Sequence, residues 1–251
     1  MTAKKTKKLD QRKRKILSSV VNDYVHTAEP VSSEKLAKKY FTDISPATIR
    51  NELAALEDEG LLMHPHTSSG RIPADAGYRF FVDQLMKIRE LTEKEMEYIR
   101  SEFRKSSNDM EDLLHTTLRV ASTLSHLLAV ITAPKMPFKA LSSGLSNIIK
   151  QPEFADTEHI KNILNMVEHE DEITSLLDET AKEDDISIKI GSEIKHKKIK
   201  DCSIVVSRYD LFGQSIGTVS IIGPTRMNYD KASSIVNAIS KTLKDLLTEK
   251  S

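Results

Sequence analysis

The stretch SPATIRNELAALEDEG at residues 45–60 decides the fold of the first part of the chain, because it carries a full set of helix signals. Ser45 suits the N-cap, Pro46 the first helical position, and Gly60 the left-handed position that ends many helices. The apolar residues between them recur at helical spacing and are Ile49, Leu53 and Leu56. This pattern predicts a helix over about residues 46–59 with one buried face.

Two further helices are expected ahead of it. Across residues 9–27 apolar residues recur at three- and four-residue spacing, as they do on one buried helix face. Pro30 interrupts this pattern, because the residue before a proline is disfavoured in helical conformation. Ser32 or Ser33 can then cap a short second helix. The residues expected on its inner face are Leu36, Ala37 and Tyr40.

Opposite the apolar stripe, the N-terminal turns of the third helix present residue types that read DNA bases. Arginine pairs with guanine, asparagine pairs with adenine, and small methyl groups meet the thymine methyl. The alternative is an ordinary solvated helix face. The candidate DNA-contacting residues of this segment are Ser45, Ala47, Thr48, Arg50 and Asn51.

The sequence LLMHPHTSSGRIP at residues 61–73 follows, with two short apolar segments around a polar tip. It predicts a hairpin wing, whose hydroxyl and basic groups suit phosphate or minor-groove contacts. Two histidines without a nearby carboxylate or thiol make an incomplete metal site, so no metal is expected. The candidate DNA-contacting residues of the wing are His64, His66, Thr67, Ser68, Ser69 and Arg71.

Charge is unevenly distributed along the 251 residues. Lys and Arg number 37, as do Asp and Glu, but residues 1–89 carry 16 basic and 11 acidic residues. The excess lies in the first fifteen residues, where Arg12 and Lys13 are candidate phosphate contacts. A solvated tail without a ligand is the alternative. Three helices, a wing and a basic arm together predict a winged helix-turn-helix.

The sequence fits two other function classes less well. Winged helices also bind structured RNA, but aromatic residues that stack on unpaired bases are sparse and Trp is absent. An enzyme would need a nucleophile, a base and an orienting group close together, and the sequence offers no convincing set. Cys202 begins a predicted strand and fits a small buried residue better than a reactive thiol. We therefore expect no enzyme activity and no cofactor.

The rest of the chain mixes helices and strands. A leucine-rich stripe over residues 113–128 predicts a helix that packs either internally or against a partner subunit. A last helix is expected over residues 230–247, and residues 223–227, GPTRM, fit a structural turn better than an anion site. The predicted strands are AVITAP at 129–134, ISIKI at 186–190, CSIVVSRY at 202–209 and SIGTVSIIG at 215–223.

Several classes of protein are disfavoured by composition. A single cysteine allows no intramolecular disulfide and fits a reducing compartment. No apolar stretch reaches the roughly 18 residues of a membrane span, and no signal-peptide core follows the basic start. These features favour a cytoplasmic protein without a membrane partner.

Three strings resemble the HrcA family of heat-inducible transcription repressors: YVHTAEPVSSEKLA at 24–37, SPATIRNELAALEDEGLLMHPHTSSGRIPADAGYRFFVD at 45–83, and GPTRMNYDK at 223–231. The resemblance implies a homodimeric DNA-binding repressor of chaperone operons in the stress response, binding the inverted-repeat operator CIRCE on double-stranded DNA. It also implies dependence on a GroEL-type chaperonin.

The resemblance further implies an α+β chain in two domains. Residues 1–88 would form the winged helix-turn-helix with its basic arm. Residues 89–251 would form a helical linker and a shortened GAF-like α/β domain with a reduced dimerisation insertion, because the chain passes quickly from AVITAP to QPEFAD at 151–156. A helix over residues 78–89 would leave the wing domain.

Overall fold

The computed structural model describes residues 9–65, 70–106, 109–182, 186–196, 199–211 and 214–249. The chain divides into two compact units, Met1–Met86 and Lys87–Ser251. Both helices and strands are present, so the chain is an α+β protein. Among the described residues, the helices are too short or too polar to cross a membrane.

The first unit contains three helices, a short hairpin and a fourth helix. Its elements are α1 Gln11–Thr27, α2 Ser33–Lys39, α3 Pro46–Asp58, β1 Leu62–Met63, β2 Ile72–Pro73 and α4 Asp75–Gln84. The three predicted helices are confirmed, and Ser32 is the N-cap of α2. Tyr40 is not on the inner face of α2. It follows the last helical residue and is 39% exposed, with the Lys39 ammonium 4.9 Å from its ring centroid.

Helix α3 ends at a double backbone hydrogen bond. Gly60 has a φ of +73°, and its N–H donates to the carbonyl of Glu57 at 2.8 Å. The next N–H, that of Leu61, donates to the carbonyl of Leu56 at 2.9 Å. This pairing is the Schellman motif, which satisfies carbonyls that a helix end leaves free. It turns the chain from α3 directly into β1.

A buried carboxylate ties α1 to α2. The Asp23 side chain has no solvent exposure and lies 2.6 Å from the Lys35 Nζ and 2.8 Å from the Lys39 Nζ. Burial alone would raise the pKa of Asp23, but the hydrogen bonds and charges of the two lysines outweigh burial and hold it below its ordinary value. An ionic contact with a buried carboxylate therefore joins α1 and α2.

The predicted helix over residues 78–89 is wrong at its C-terminal end. Helix α4 stops at Gln84, and Leu85 to Thr92 have no helical structure. The Leu85 and Met86 N–H groups both donate to the carbonyl of Phe81, which closes the helix. Beyond this closure Leu85 and Met86 are half-buried and Ile88 is 54% exposed.

The second unit is a five-stranded sheet with helices on both faces. Its elements are α5 Glu93–Lys105, α6 Met110–Ser125, β3 Leu128–Thr132, β4 Ala140–Ser143, α7 Leu145–Ile149, α8 Thr157–Glu168, α9 Glu170–Thr180, β5 Ser187–Ile190, β6 Cys202–Leu211, β7 Gln214–Pro224 and α10 Tyr229–Glu249. The strand order is β4-β3-β7-β6-β5, and every neighbouring pair is antiparallel. The four predicted strands are confirmed, and β4 was not predicted.

Alternate residues of the strands face opposite layers. Leu128, Val130 and Ile204 belong to a core that includes buried residues of α8 and α9. On the other face the Ser203 Oγ lies 2.8 Å from the Tyr229 hydroxyl oxygen of α10. Helices α6 and α10 pack on this second face. The residues of the predicted leucine stripe that α6 buries within the chain are Leu113, Leu114, Leu118 and Ala121.

Candidate nucleic-acid interface

Helix α3 keeps one polar face outside the core of the first unit. Ile49, Leu53 and Leu56 are buried, as the sequence predicts. Ala47, Arg50 and Asn51 are exposed, and they lie on the opposite side of the helix. Asn51 makes no side-chain hydrogen bond with any residue that the structure describes, so its amide can both donate and accept.

Ser45 and Thr48 have a capping role. The Ser45 Oγ accepts a hydrogen bond from the Thr48 N–H at 3.1 Å and lies 2.9 Å from the Thr48 Oγ1. This bond satisfies one of the free N–H groups at the start of a helix. Both hydroxyls are therefore used within the helix, and Thr48 is only half exposed. Of the five candidate residues, those whose side chains take no part in the cap are Ala47, Arg50 and Asn51.

Arg50 forms an ion pair that the sequence did not predict. Its Nη2 donates to the Glu34 Oε1 at 2.6 Å, which joins α3 to the first turn of α2. Both side chains are mostly exposed, at 69% for Arg50 and 59% for Glu34. The backbone N–H of Glu34 itself, followed by the Ser33 and Arg50 side chains, lowers the pKa of Glu34 from its ordinary value. The carboxylate is thus ionised beside the arginine at neutral pH.

The basic residues at the start of α1 are tied to other parts of the first unit. The Lys13 Nζ donates to the Glu59 Oε1 at 2.8 Å, and this bond raises the pKa of Lys13. The Arg12 Nη1 lies 3.7 Å from the Glu52 Oε1, although the Arg12 side chain is 56% exposed. Lys15 is exposed. Of these cations, Arg12 and Lys15 are the more accessible to a phosphate, whereas Lys13 is already paired.

A side-chain contact also holds the base of the β1–β2 hairpin, where the sequence predicts the wing. Strands β1 and β2 pair antiparallel, and Arg71 exchanges two backbone hydrogen bonds of 2.9 Å with Val31. The Arg71 Nε donates to the Glu57 Oε2 at 2.8 Å, and its side chain is only 18% exposed. His64 is exposed, with its Nδ1 3.2 Å from the carbonyl oxygen of Pro65. The predicted tip residues lie outside the described part of the chain: His66, Thr67, Ser68 and Ser69.

A groove of about 500 Å³ is lined by residues of α2, α3 and the β1–β2 hairpin. It brings together three of the predicted contacts, Arg50, His64 and Arg71, although 21 residues separate the first from the last. The groove is also lined by Glu34, which sequence reasoning missed because nothing in a single sequence pairs residues of two different helices. The remaining lining residues are Ser33 and Leu53.

In the second unit, Cys202 and Arg226 are the residues that could suggest a chemical or anion-binding site, and both have structural surroundings. Cys202 is buried, and burial together with Asp201 raises the pKa of its thiol to about 12, so it is not a reactive thiolate. Arg226 in the predicted turn donates to Glu153 and, at 2.9 Å, to the Gln151 Oε1. Across the described residues, no three His, Cys, Asp or Glu side chains are grouped to hold a metal ion.

Comparison with known proteins places the chain in a family. The family model described as the HrcA protein C terminal domain matches residues 87–232. The heat-inducible transcription repressor HrcA of Carboxydothermus hydrogenoformans is 32% identical over 340 aligned residues, covering 96% of this chain and 99% of the relative. That of Pelotomaculum thermopropionicum is 30% identical over 338, covering 96% and 97%.

A solved structure shares the fold. The crystal structure of a hypothetical protein at 2.2 Å resolution is 21% identical, has a TM-score of 0.85, and covers 97% of this chain and 100% of its own. The alignments with both relatives are longer than the 251 residues of this chain, so the relatives contain segments that it lacks. The chain is a shortened member of the HrcA family.

Proposed function

We propose that the protein is a cytoplasmic transcriptional repressor of heat-shock operons, which binds operator DNA through a winged helix-turn-helix in its first unit. The observation that carries the proposal is the exposed face of α3, where Arg50 and Asn51 stand beside the groove lined by the wing. Helices α2 and α3 are the helix pair, and α3 is the recognition helix in the major groove.

The contacts divide into two classes. Asn51 and Arg50 have the donors and acceptors that discriminate adenine and guanine, with Ala47 placed to meet a thymine methyl. Arg12, Lys15 and His64 are exposed groups of the same unit whose side chains suit phosphates. The tip residues 66–69 would extend these contacts along the backbone or into the minor groove.

The second unit is proposed to be the GAF-like domain with a reduced dimerisation insertion. A homodimer would present two copies of α3 to the two halves of an inverted repeat, which the family resemblance identifies as CIRCE. The same resemblance supports dependence on a GroEL-type chaperonin for the active form.

The test is a binding titration of the full-length protein against a CIRCE duplex, a scrambled duplex and a duplex RNA of the same sequence. It is run at about 50 and about 200 mM salt, with and without chaperonin. We expect a strong preference for the inverted repeat, a binding stoichiometry of two chains per duplex, and tighter binding with chaperonin. Equal binding to both DNA duplexes would contradict operator recognition, and equal binding to the RNA would contradict the choice of nucleic acid.

A further inference from the structure

A carboxylate on a DNA-binding face is unexpected, because it repels the DNA phosphates, whose contacts with the protein supply much of the binding energy. Glu34 is 59% exposed, lies in the first turn of α2, and lines the groove together with Arg50. Its carboxylate is ionised at neutral pH, as described above. Glu34 therefore adds negative charge at the surface that the proposed function brings to DNA.

The geometry of the ion pair between Arg50 and Glu34 explains why a carboxylate is useful here. Glu34 accepts a single bond, from the Nη2 of Arg50, so the second N–H of Nη2 is still able to form a fork with the neighbouring N–H of Nη1 or Nε. A guanidinium has five N–H donors in a planar fork, and two of them suffice for the O6 and N7 atoms of guanine. Arg50 can therefore keep its bond to Glu34 while it reads a base.

Holding the side chain also reduces the cost of binding. A free arginine on a helix surface loses rotamer entropy when it is fixed against a base edge. The bond of 2.6 Å joins two helices that are already packed on each other, so it limits the directions in which the guanidinium can point.

We propose that Glu34 is a positioning residue for base recognition, which holds the Arg50 guanidinium toward one base and so sets the preference for guanine at that position. The inference rests on the proposed DNA-binding function. Glu34 lowers the affinity for all DNA by its charge and raises the discrimination between bases by its bond.

The experiment compares full-length wild-type protein with Glu34→Ala, Glu34→Gln, Glu29→Ala and Arg50→Ala. Glu29 is an exposed glutamate five residues away, with no side-chain ion pair to any described residue, so its variant removes the same charge without touching Arg50. Each protein is titrated with the inverted-repeat duplex, with a series carrying single base-pair changes in both half-sites, and with a scrambled duplex.

We expect wild type to show one G·C position at which substitution weakens binding roughly tenfold or more. Glu34→Ala and Glu29→Ala should both bind the scrambled duplex more tightly than wild type. Only Glu34→Ala should lose most of the discrimination at that one position. Glu34→Gln keeps a hydrogen-bond acceptor and should recover part of it. Other positions should keep their profile in all variants.

The two ideas fail in different ways. If wild type does not prefer the inverted repeat, the proposed function fails. The other case is that wild type prefers the inverted repeat, with Arg50→Ala abolishing the G·C preference and Glu34→Ala retaining it in full. That result overturns the positioning role of Glu34 and leaves the proposed repressor function intact. A loss of discrimination at every position in Glu34→Ala would also overturn it, because that result indicates a general disturbance of α2.

Discussion

Gly77 lies directly against the carbonyl oxygen of Leu61, so closely that a Cβ atom at position 77 would be 2.0 Å from that oxygen. The contact joins the first turn of α4 to the residue between α3 and β1. Real Cβ atoms do not approach an oxygen so closely, and the obstacle is backbone. The packing of α4 against Leu61 therefore requires glycine here.

Replacing Gly77 with alanine should destabilise the first unit by about 3 kcal/mol, because the backbone of α4 must move. Urea unfolding followed by circular dichroism measures the loss, and hydrogen exchange at the α3 and α4 amides assigns it to this unit. Gly60→Ala is the matched control. It has open space around the new Cβ but a φ of +73°, so it should cost only about 1 kcal/mol. Equal effects of the two changes would contradict the close-contact argument.

Asn51→Ala should reduce the discrimination at one base pair by about 1–3 kcal/mol and leave binding to a scrambled duplex nearly unchanged. Asn51 is exposed on α3, and its amide can meet both hydrogen-bonding groups of adenine. Titration against operators with single base-pair changes measures the effect. Ala55→Ser, at a half-buried position one helical turn beyond Asn51, is the comparison and should keep the profile. A uniform loss of affinity for Asn51→Ala would argue for a backbone contact instead.

Lys15→Ala should reduce the slope of log affinity against log salt by about 1, because an exposed lysine near the interface releases one counterion when it neutralises a phosphate. Lys13→Ala should change that slope much less, since its ammonium is bound to Glu59. Binding to a scrambled duplex across a salt series measures both. A larger change for Lys13 than for Lys15 would show that the Glu59 bond breaks when DNA binds.

Asp23→Asn should lower stability near neutral pH, because the buried anion between Lys35 and Lys39 is lost. The pKa of Asp23 in the folded chain is below its ordinary value of 3.8, so its contribution is present above pH 3.8. That contribution disappears as the pH falls through the lowered pKa. The difference in the free energy of unfolding between wild type and Asp23→Asn should therefore shrink below pH 3.8.

Urea unfolding at a series of pH values tests this expectation. Asp43→Asn removes an exposed carboxylate of the same unit and should change stability little at any pH. A gap between wild type and Asp23→Asn that widens in acid would contradict the sign of the pKa shift.

Local signals made α3 predictable. Ser45, Pro46 and Gly60 encode its two ends within the segment itself, and the helix observed over Pro46–Asp58 differs from the predicted one by a single residue. The buried stripe followed in the same way from the 3.6-residue period. Where a signal lies within a few residues of the helix end that it specifies, a single sequence is enough to predict that end.

The site was less predictable because its partners are distant in sequence. Glu34 and Arg50 are 16 residues apart, and Lys13 and Glu59 are 46 residues apart. A single sequence does not show which of many carboxylates will meet a given cation. Arg50 and Lys13 were thus selected by residue type and by position in the sequence. Only the packing of the helices showed that both are paired, and that the arginine is 69% exposed whereas the lysine is 22% exposed.

The order of strands in the sheet has a consequence for synthesis. Strand β3 is buried along its length and lies between β4 and β7, and the Thr132 and Thr218 side chains that meet across this pairing are 86 residues apart. At about 5–20 residues per second, the ribosome needs several seconds to translate that interval. During this time the nascent chain carries an apolar strand with one edge unpaired, while the first unit already has every residue that it needs to fold.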